Sequence, residues 1–242
     1  MSGHSKWAQI KHKKALTDAK KSQLFSKMVR EIAVAARAGG VQPENNSRLK
    51  TALEHARSIG LPKENMDRAI ARAAGGSAEE NLQEFIYEAT YPSVVMIIIE
   101  GITDNKNRSL SEIKKTLTRF GARLADPGSI LWNFEKVGLL ELTEPENPDK
   151  TREALETAII ESGARDFHPN VIWDIETNFQ EMEIVRQNLE KAGIKIRAVT
   201  HDYKPKSTAD VSAEDKKSCE ELLDALTDLD DVQEAYSNLK EE

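Results

Sequence analysis

Lys6, Trp7, Lys11, His12, Lys13 and Lys14 crowd the first sixteen residues of the chain. Ammonium groups at this density neutralise phosphates and release the counterions around them. The indole of Trp7 and the imidazoles of His4 and His12 offer flat faces on which unpaired bases can stack. Lys20 and Lys21 extend the run. Such a cluster repels itself unless a polyanion is present, which favours binding as the role of the lysines. Trp7 serves equally well as an anchor that holds the tail on its own helices.

Further basic groups follow at Arg30, Arg37, Arg48 and Lys63, and Arg68 and Arg72 stand one helical turn apart on a shared face. Asn65 is the main side chain nearby that is suited to reading a base edge, so phosphate contact is the expected role of this segment. The turn around Ser58–Leu61 could make a helix-turn-helix with the third helix in a major groove. Two helices joined by a glycine turn occur in any small bundle, however. Asp104, Asn105, Asn107 and Arg108 crowd a strand-to-helix loop. Asn107 or Asp104 suits a helix cap, whereas capping does not account for Arg108, which joins the candidate binding residues.

Catalytic patterns are missing. His4, His12, His55, His168 and His201 are scattered, with no H-E-x-x-H spacing, and no nucleophile elbow, P-loop or dinucleotide fingerprint occurs. The single cysteine, Cys219, allows neither an intrachain disulfide nor a cysteine zinc site, and its helical run with Leu222, Leu223 and Leu226 makes it a small core residue. The acidic run Asp228–Asp231 reads as a solvated helix end followed by a turn. The expectation is a non-enzyme with no metal, no cofactor and no small-molecule substrate.

Charge is divided unevenly along the chain. Residues 1–72 hold 15 Lys and Arg against 6 Asp and Glu, a net of +9, while the remainder holds 19 against 35, a net of −16, within an overall −7. A polyanion-binding module on an acidic body fits this asymmetry. The longest apolar run, Val94–Ile99, is far short of the roughly 20 residues of a membrane span. The polar, basic start has no signal-peptide core. The chain is therefore read as cytoplasmic, with no membrane partner.

The elements that must position these groups follow from periodicity. Phe25, Met28, Val29, Ile32 and Ala36 recur at helical spacing from Thr17 to a stop at Gly39-Gly40. Leu49, Leu53, Ala56 and Ile59 mark a second helix, and Met66, Ala69, Ile70 and Ala73 a third, ending at Gly75-Gly76. Strands are expected over 85–91 and 93–102, a helix over 109–120 and a strand near 130–134. Strand 138–142, helix 150–162, strands 165–168 and 171–176, helix 179–192 and strand 195–200 give the β-α-β-β-α-β order of a ferredoxin-like unit. A last helix (213–229) and strand (231–237) return to the sheet begun near residue 83.

The chain resembles the YebC family, which includes the mitochondrial translational activator of cytochrome c oxidase. The resemblance rests on Gly3-His4-Ser5-Lys6-Trp7, Ile10-Lys11-His12-Lys13-Lys14, Asp18-Ala19-Lys20-Lys21, Arg30-Glu31-Ile32, Gly39-Gly40, Arg48-Leu49 and Arg68-Ala69-Ile70-Ala71-Arg72. It resumes at Ile86-Tyr87-Glu88, Thr103-Asp104-Asn105-Lys106-Asn107-Arg108, Asp230-Asp231-Val232-Gln233 and Tyr236. At Glu88–Ser93 the sequence departs from the family's glycine-rich tyrosine-proline loop, keeping Tyr91-Pro92 without flanking glycines.

The resemblance implies an α+β protein: an N-terminal three-helix domain, then two ferredoxin-like α/β sandwich domains, the third inserted into the second. With the element reading, this gives a basic helical domain at 1–76, a discontinuous α+β domain at 77–136 plus 204–242, and an inserted α+β domain at 137–203. The expected function is an RNA-binding translation factor acting on ribosomes. The alternative is a DNA-binding transcriptional regulator.

Overall fold

The computed structural model describes residues 18–75, 81–92 and 94–240. Helix α1 (Asp18–Gly39), α2 (Ser47–Ser58) and α3 (Lys63–Ala74) pack around one core of Met28, Ile32, Ala36, Leu49, Leu53, Ala56, Met66 and Ala69. These are the positions that helical spacing selects. The α1–α2 corner is set by Asn46, which is buried. Its Oδ1 accepts from the Leu49 amide (3.0 Å), and its Nδ2 donates to the carbonyls of Ala35 (2.8 Å) and Gly40 (2.7 Å). One side chain thus caps the start of α2 and the end of α1. A Cβ on Gly39 would lie 2.7 Å from Asn46, so only glycine leaves room for it.

The remainder is built on two four-stranded antiparallel sheets. In the first, the hairpin of β1 (Gln83–Tyr91) and β2 (Val95–Thr103) lies at the centre, flanked by β3 (Arg123–Leu124) and β8 (Val232–Ser237) in the order β3-β1-β2-β8. Helix α4 (Lys106–Arg119) crosses from β2 to β3 over the intervening β1, and α7 (Ala213–Thr227) leads back into β8. Alternation along β2 sends Val95, Ile97 and Ile99 towards Ile113, Leu117, Cys219, Leu222 and Leu226 of these helices. Ile98 faces the other way, against Ile130, Phe134, Tyr203 and Tyr236. A register shift between Glu100 and Gly101 marks a bulge. There a Cβ on Gly101 would fall 2.3 Å from the Asp231 carbonyl oxygen.

The second sheet has the order β5-β6-β4-β7, from β4 (Phe134–Leu142), β5 (Asp166–His168), β6 (Trp173–Asn178) and β7 (Ala198–Pro205). Helices α5 (Arg152–Glu161) and α6 (Met182–Lys191) pack Leu155, Ile159, Val185 and Leu189 on Leu140, Trp173 and Ile175. This is the ferredoxin-like order with two interlocked β-α-β crossovers. The first sheet shares the layered architecture but keeps its hairpin at the centre rather than at an edge.

Three local expectations are corrected. No strand forms at 130–133: Leu131–Asn133 make a 3-10 turn, and Phe134 opens β4 directly. The cause is the buried carboxylate of Glu88, which accepts from the amides of Gly128, Ile130 (2.6 Å) and Leu131 (2.9 Å) and turns them away from any ladder. Helix α4 starts at Lys106 rather than Ser109, because Asn105, not Asp104 or Asn107, is its cap: Asn105 Oδ1 accepts from the Asn107 and Arg108 amides, each at 3.1 Å. Strand β7 begins at Ala198 rather than Lys195 and runs to Pro205.

Candidate nucleic-acid interface

Lys20, Gln23, Lys27 and Arg30 follow one another at three- and four-residue steps, which aligns them along one face of α1. That face is only partly open to solvent, exposed at Lys20 and buried at Lys27. It meets the C-terminal end of α7 and the turn leading into β8. Lys20 pairs with Asp228 (3.4 Å). Gln23 Nε2 donates to the Asp228 carbonyl (2.6 Å) and to Asp230 Oδ1 (3.3 Å). Lys27 donates to the Thr227 carbonyl, and Arg30 to the Asp230 carbonyl and to Asp231 Oδ1 (3.0 Å). Cationic groups are favourable at this end of α7, where unpaired carbonyls carry the negative pole of the helix dipole. Lys27 is buried, and burial lowers its pKa to about 8 against the opposing pull of Glu234, Asp228 and Asp230.

The centre of this junction is Asp231, which is buried rather than solvated. Its Oδ2 accepts from Ser109 Oγ (2.6 Å), Arg108 Nη2 (2.7 Å) and Thr103 Oγ1 (2.9 Å). Burial alone would raise its carboxyl pKa, but these hydrogen bonds, with the Arg108 charge, hold it below the ordinary value. Arg108 also reaches Asp104 at 2.8 Å. The guanidinium that capping left unexplained is therefore an internal partner of Asp231.

The other basic positions divide in the same way. Arg48 forms a two-pronged pair with Glu84, at the start of β1. Arg37 Nη1 donates to the Leu82 carbonyl at 3.5 Å. Lys50 pairs with Glu190 on α6 (3.6 Å), where buried Arg186 gathers Glu54, Glu183 and Glu190. Lys21 lies over the Phe25 ring, 5.6 Å from its centre. Lys63, Arg68 and Arg72 are exposed along α3. Lys6, Trp7, Lys11, His12, Lys13 and Lys14 lie outside the described residues.

Helices α1 and α3 form two walls of an open cleft of about 590 Å³, lined by Ser22, Phe25, Ser26, Val29, Arg30, Asn65, Leu82 and Asp104. The fold thus brings Arg30, Asn65 and Asp104 into one groove beside Phe25, Val29 and Leu82. It separates Arg48 and Lys50, whose partners lie on β1 and α6. Sequence reasoning missed Gln23, Lys27 and Lys50. The spacing of Gln23 and Lys27 from Lys20 was visible, but the same spacing describes any solvated helix face.

A second polar cluster lies between the sheets. Glu100 on β2 accepts from Tyr203 Oη (2.9 Å) and Tyr236 Oη (3.3 Å), and its carboxylate lies 2.8 Å from His201 Nε2 and 3.4 Å from Lys136 Nζ. Burial would raise Glu100, yet the hydrogen bond and charge of His201, then Lys136 and Tyr203, outweigh it and hold the carboxyl at about 2. Lys136 sits over the rings of Phe179 and Tyr203.

Comparison with known proteins covers nearly the whole chain. Residues 5–76 match the family described as the TACO1/YebC protein N-terminal domain, and residues 82–239 the TACO1/YebC second and third domain. A "Probable transcriptional regulatory protein" of Pseudothermotoga lettingae is 44% identical over 99% of this chain and 94% of its own length. One from Caldanaerobacter subterraneus is 44% identical over 99% and 98%. The crystal structure of a conserved hypothetical protein from Aquifex aeolicus, 41% identical, superposes with a TM-score of 0.85 over 98% of both chains. With both family descriptions matched in order along a fold shared from end to end, this chain belongs to the TACO1/YebC family.

Proposed function

We propose that this protein is a cytoplasmic, non-enzymatic regulator of gene expression that binds RNA and works on ribosomes as a translation factor. The basic helical domain, residues 1–76, holds the RNA. Residues 77–136 with 204–242 form the discontinuous domain, and residues 137–203 the inserted one. The observation that carries the reading is the exposed pair Arg68 and Arg72, one turn apart on α3, with exposed Lys63 at the helix start, in the segment that holds the chain's net positive charge. Exposed cations that follow one helix can track a phosphate backbone without reading its bases. Trp7 and His12 add stacking faces suited to unpaired bases. The acidic remainder of the chain disfavours wrapping of duplex DNA.

The relatives' names favour a second reading, a DNA-binding transcriptional regulator. Such a protein must exceed its own non-specific DNA binding by a factor of about 10³ or more. Asn65 is the one obvious base-reading side chain on α3. The test is co-sedimentation of the full chain with ribosomes over a salt series, beside its affinity for single-stranded RNA and duplex DNA at one fixed salt. Ribosome association that weakens with salt supports the translation reading. Sequence-selective duplex binding without ribosome association makes the transcriptional reading the better one.

A further inference from the structure

We propose that the α1 face made by Lys20, Gln23, Lys27 and Arg30 is a second phosphate-binding surface, covered in this structure by the acidic turn Asp228–Asp231, which acts as a built-in competitor that RNA displaces. The inference rests on the RNA reading above and adds to it a masked surface and a mechanism of release.

The covering groups match what an RNA backbone would offer. They are negative oxygens spaced along the turn: the Thr227 carbonyl, the Asp228 carboxylate and carbonyl, and the Asp230 and Asp231 oxygens. Lys27 is matched poorly, because its buried ammonium has a neutral carbonyl as its hydrogen-bond partner. Its lowered pKa of about 8 shows what burial costs it. A phosphate would give Lys27 a full charge in exchange.

Release is cheap at the centre of the junction. Arg30 reaches Asp231 only through Oδ1, whereas Arg108, Ser109 and Thr103 all hold Oδ2. When Arg30 leaves, Asp231 keeps three donors, and the start of α4 stays joined to β8. The helical unit is also held where α2 packs along β7. Its apolar core is drawn entirely from residues of α1, α2, α3 and their connections, and the core clusters of the two sheets include none of them. Beside that packing, the side-chain links across are ionic or polar: α1 to the turn, Arg48 to Glu84, and Lys50 and Glu54 to Glu190 and Arg186. The exposed pairs among them, Lys20–Asp228, Arg48–Glu84 and Lys50–Glu190, are weak and screened by salt, so a polyanion can compete for them.

The test compares the full chain with D228N/D230N, which removes two exposed carboxylates and leaves Asp231 alone. The control, D149N/E153Q, makes the same charge change at exposed positions beside α5. A fluorescein-labelled oligouridine is titrated at one low salt concentration. D228N/D230N should bind roughly three- to fivefold tighter than the unaltered chain, the scale of the one exposed ion pair, Lys20–Asp228, that it removes, and the control less than about twofold tighter. Acetylation of Lys27 by an N-hydroxysuccinimide ester, followed by mass spectrometry, should quicken in D228N/D230N and slow again when the oligouridine is added. Equal tightening by the two variants, or an unchanged Lys27 rate, overturns the masked surface and leaves the RNA reading standing. Failure of all three proteins to bind the oligouridine overturns the RNA reading, and the phosphate surface with it.

Discussion

Arg108 Nη2 lies 2.7 Å from Asp231 Oδ2, joining the first turn of α4 to the residue that precedes β8, 123 positions further along the chain. The Asp231 side chain is 4% exposed and that of Arg108 44%, so the two partners should respond differently to removal. Asp231→Ala removes the acceptor shared by Arg108, Arg30, Ser109 and Thr103 and should cost about 3 kcal/mol. Arg108→Ala should cost about 1 kcal/mol and leave oligouridine affinity within about twofold, because its guanidinium is engaged internally. Urea denaturation and an RNA titration decide the point. A large loss of affinity with unchanged stability would return Arg108 to the binding surface.

On α3 the expectation is reversed. Lys63→Ala/Arg68→Ala/Arg72→Ala should lower the slope of log affinity against log salt by about 2, at roughly 0.7 per phosphate contact on a single strand. Melting temperature should hardly move, since all three side chains are exposed. An unchanged slope would identify the three as a solvated face.

The N-terminal tail divides into backbone and base contacts. Replacing Lys11, Lys13 and Lys14 with alanine should flatten the salt slope by about 2 to 3, equally for all RNA sequences. Trp7→Ala should weaken single-stranded RNA binding by roughly 1–3 kcal/mol if a base stacks there. Duplex DNA, whose bases are already stacked, should be much less affected. Equal losses on both ligands would assign Trp7 to anchoring the tail.

Glu100 sets a pH dependence. Its folded-state pKa of about 2 lies below the ordinary 4.5, so the ionised carboxylate stabilises the fold at neutral pH. That contribution, on the order of 3 kcal/mol, is lost as pH falls from about 4.5 towards 2. Glu100→Gln should therefore be less stable than the unaltered chain near neutrality, and the gap should close across that window. Urea midpoints measured from pH 7 downwards test this. A gap that stays constant would mean that the loss comes from hydrogen bonding or packing that does not depend on the carboxylate being ionised.

Local patterns determined much of this protein before any coordinates. Apolar spacing placed Met28, Ile32, Leu49, Leu53, Met66 and Ala69 in one helical core, and the strand-favouring composition of 85–91 and 93–102 marked β1 and β2. The order of elements after residue 134 carried the ferredoxin-like arrangement, because side-chain period and turn chemistry are properties of neighbours in the chain. Glu88 was beyond that reach. It holds Ile130 and Leu131 from 42 and 43 positions away, and so decides a turn where local composition favoured a strand.

The basic residues show the same division in charge. Composition located the positive charge in residues 1–72. It could not say that Lys20, Arg30 and Arg48 would face Asp228, Asp231 and Glu84. A charge is fixed by residue type alone. Its partner is chosen through space, at distances of a few ångströms that only the folded chain creates, and between Arg30 and Asp231 the sequence separation is 201 residues.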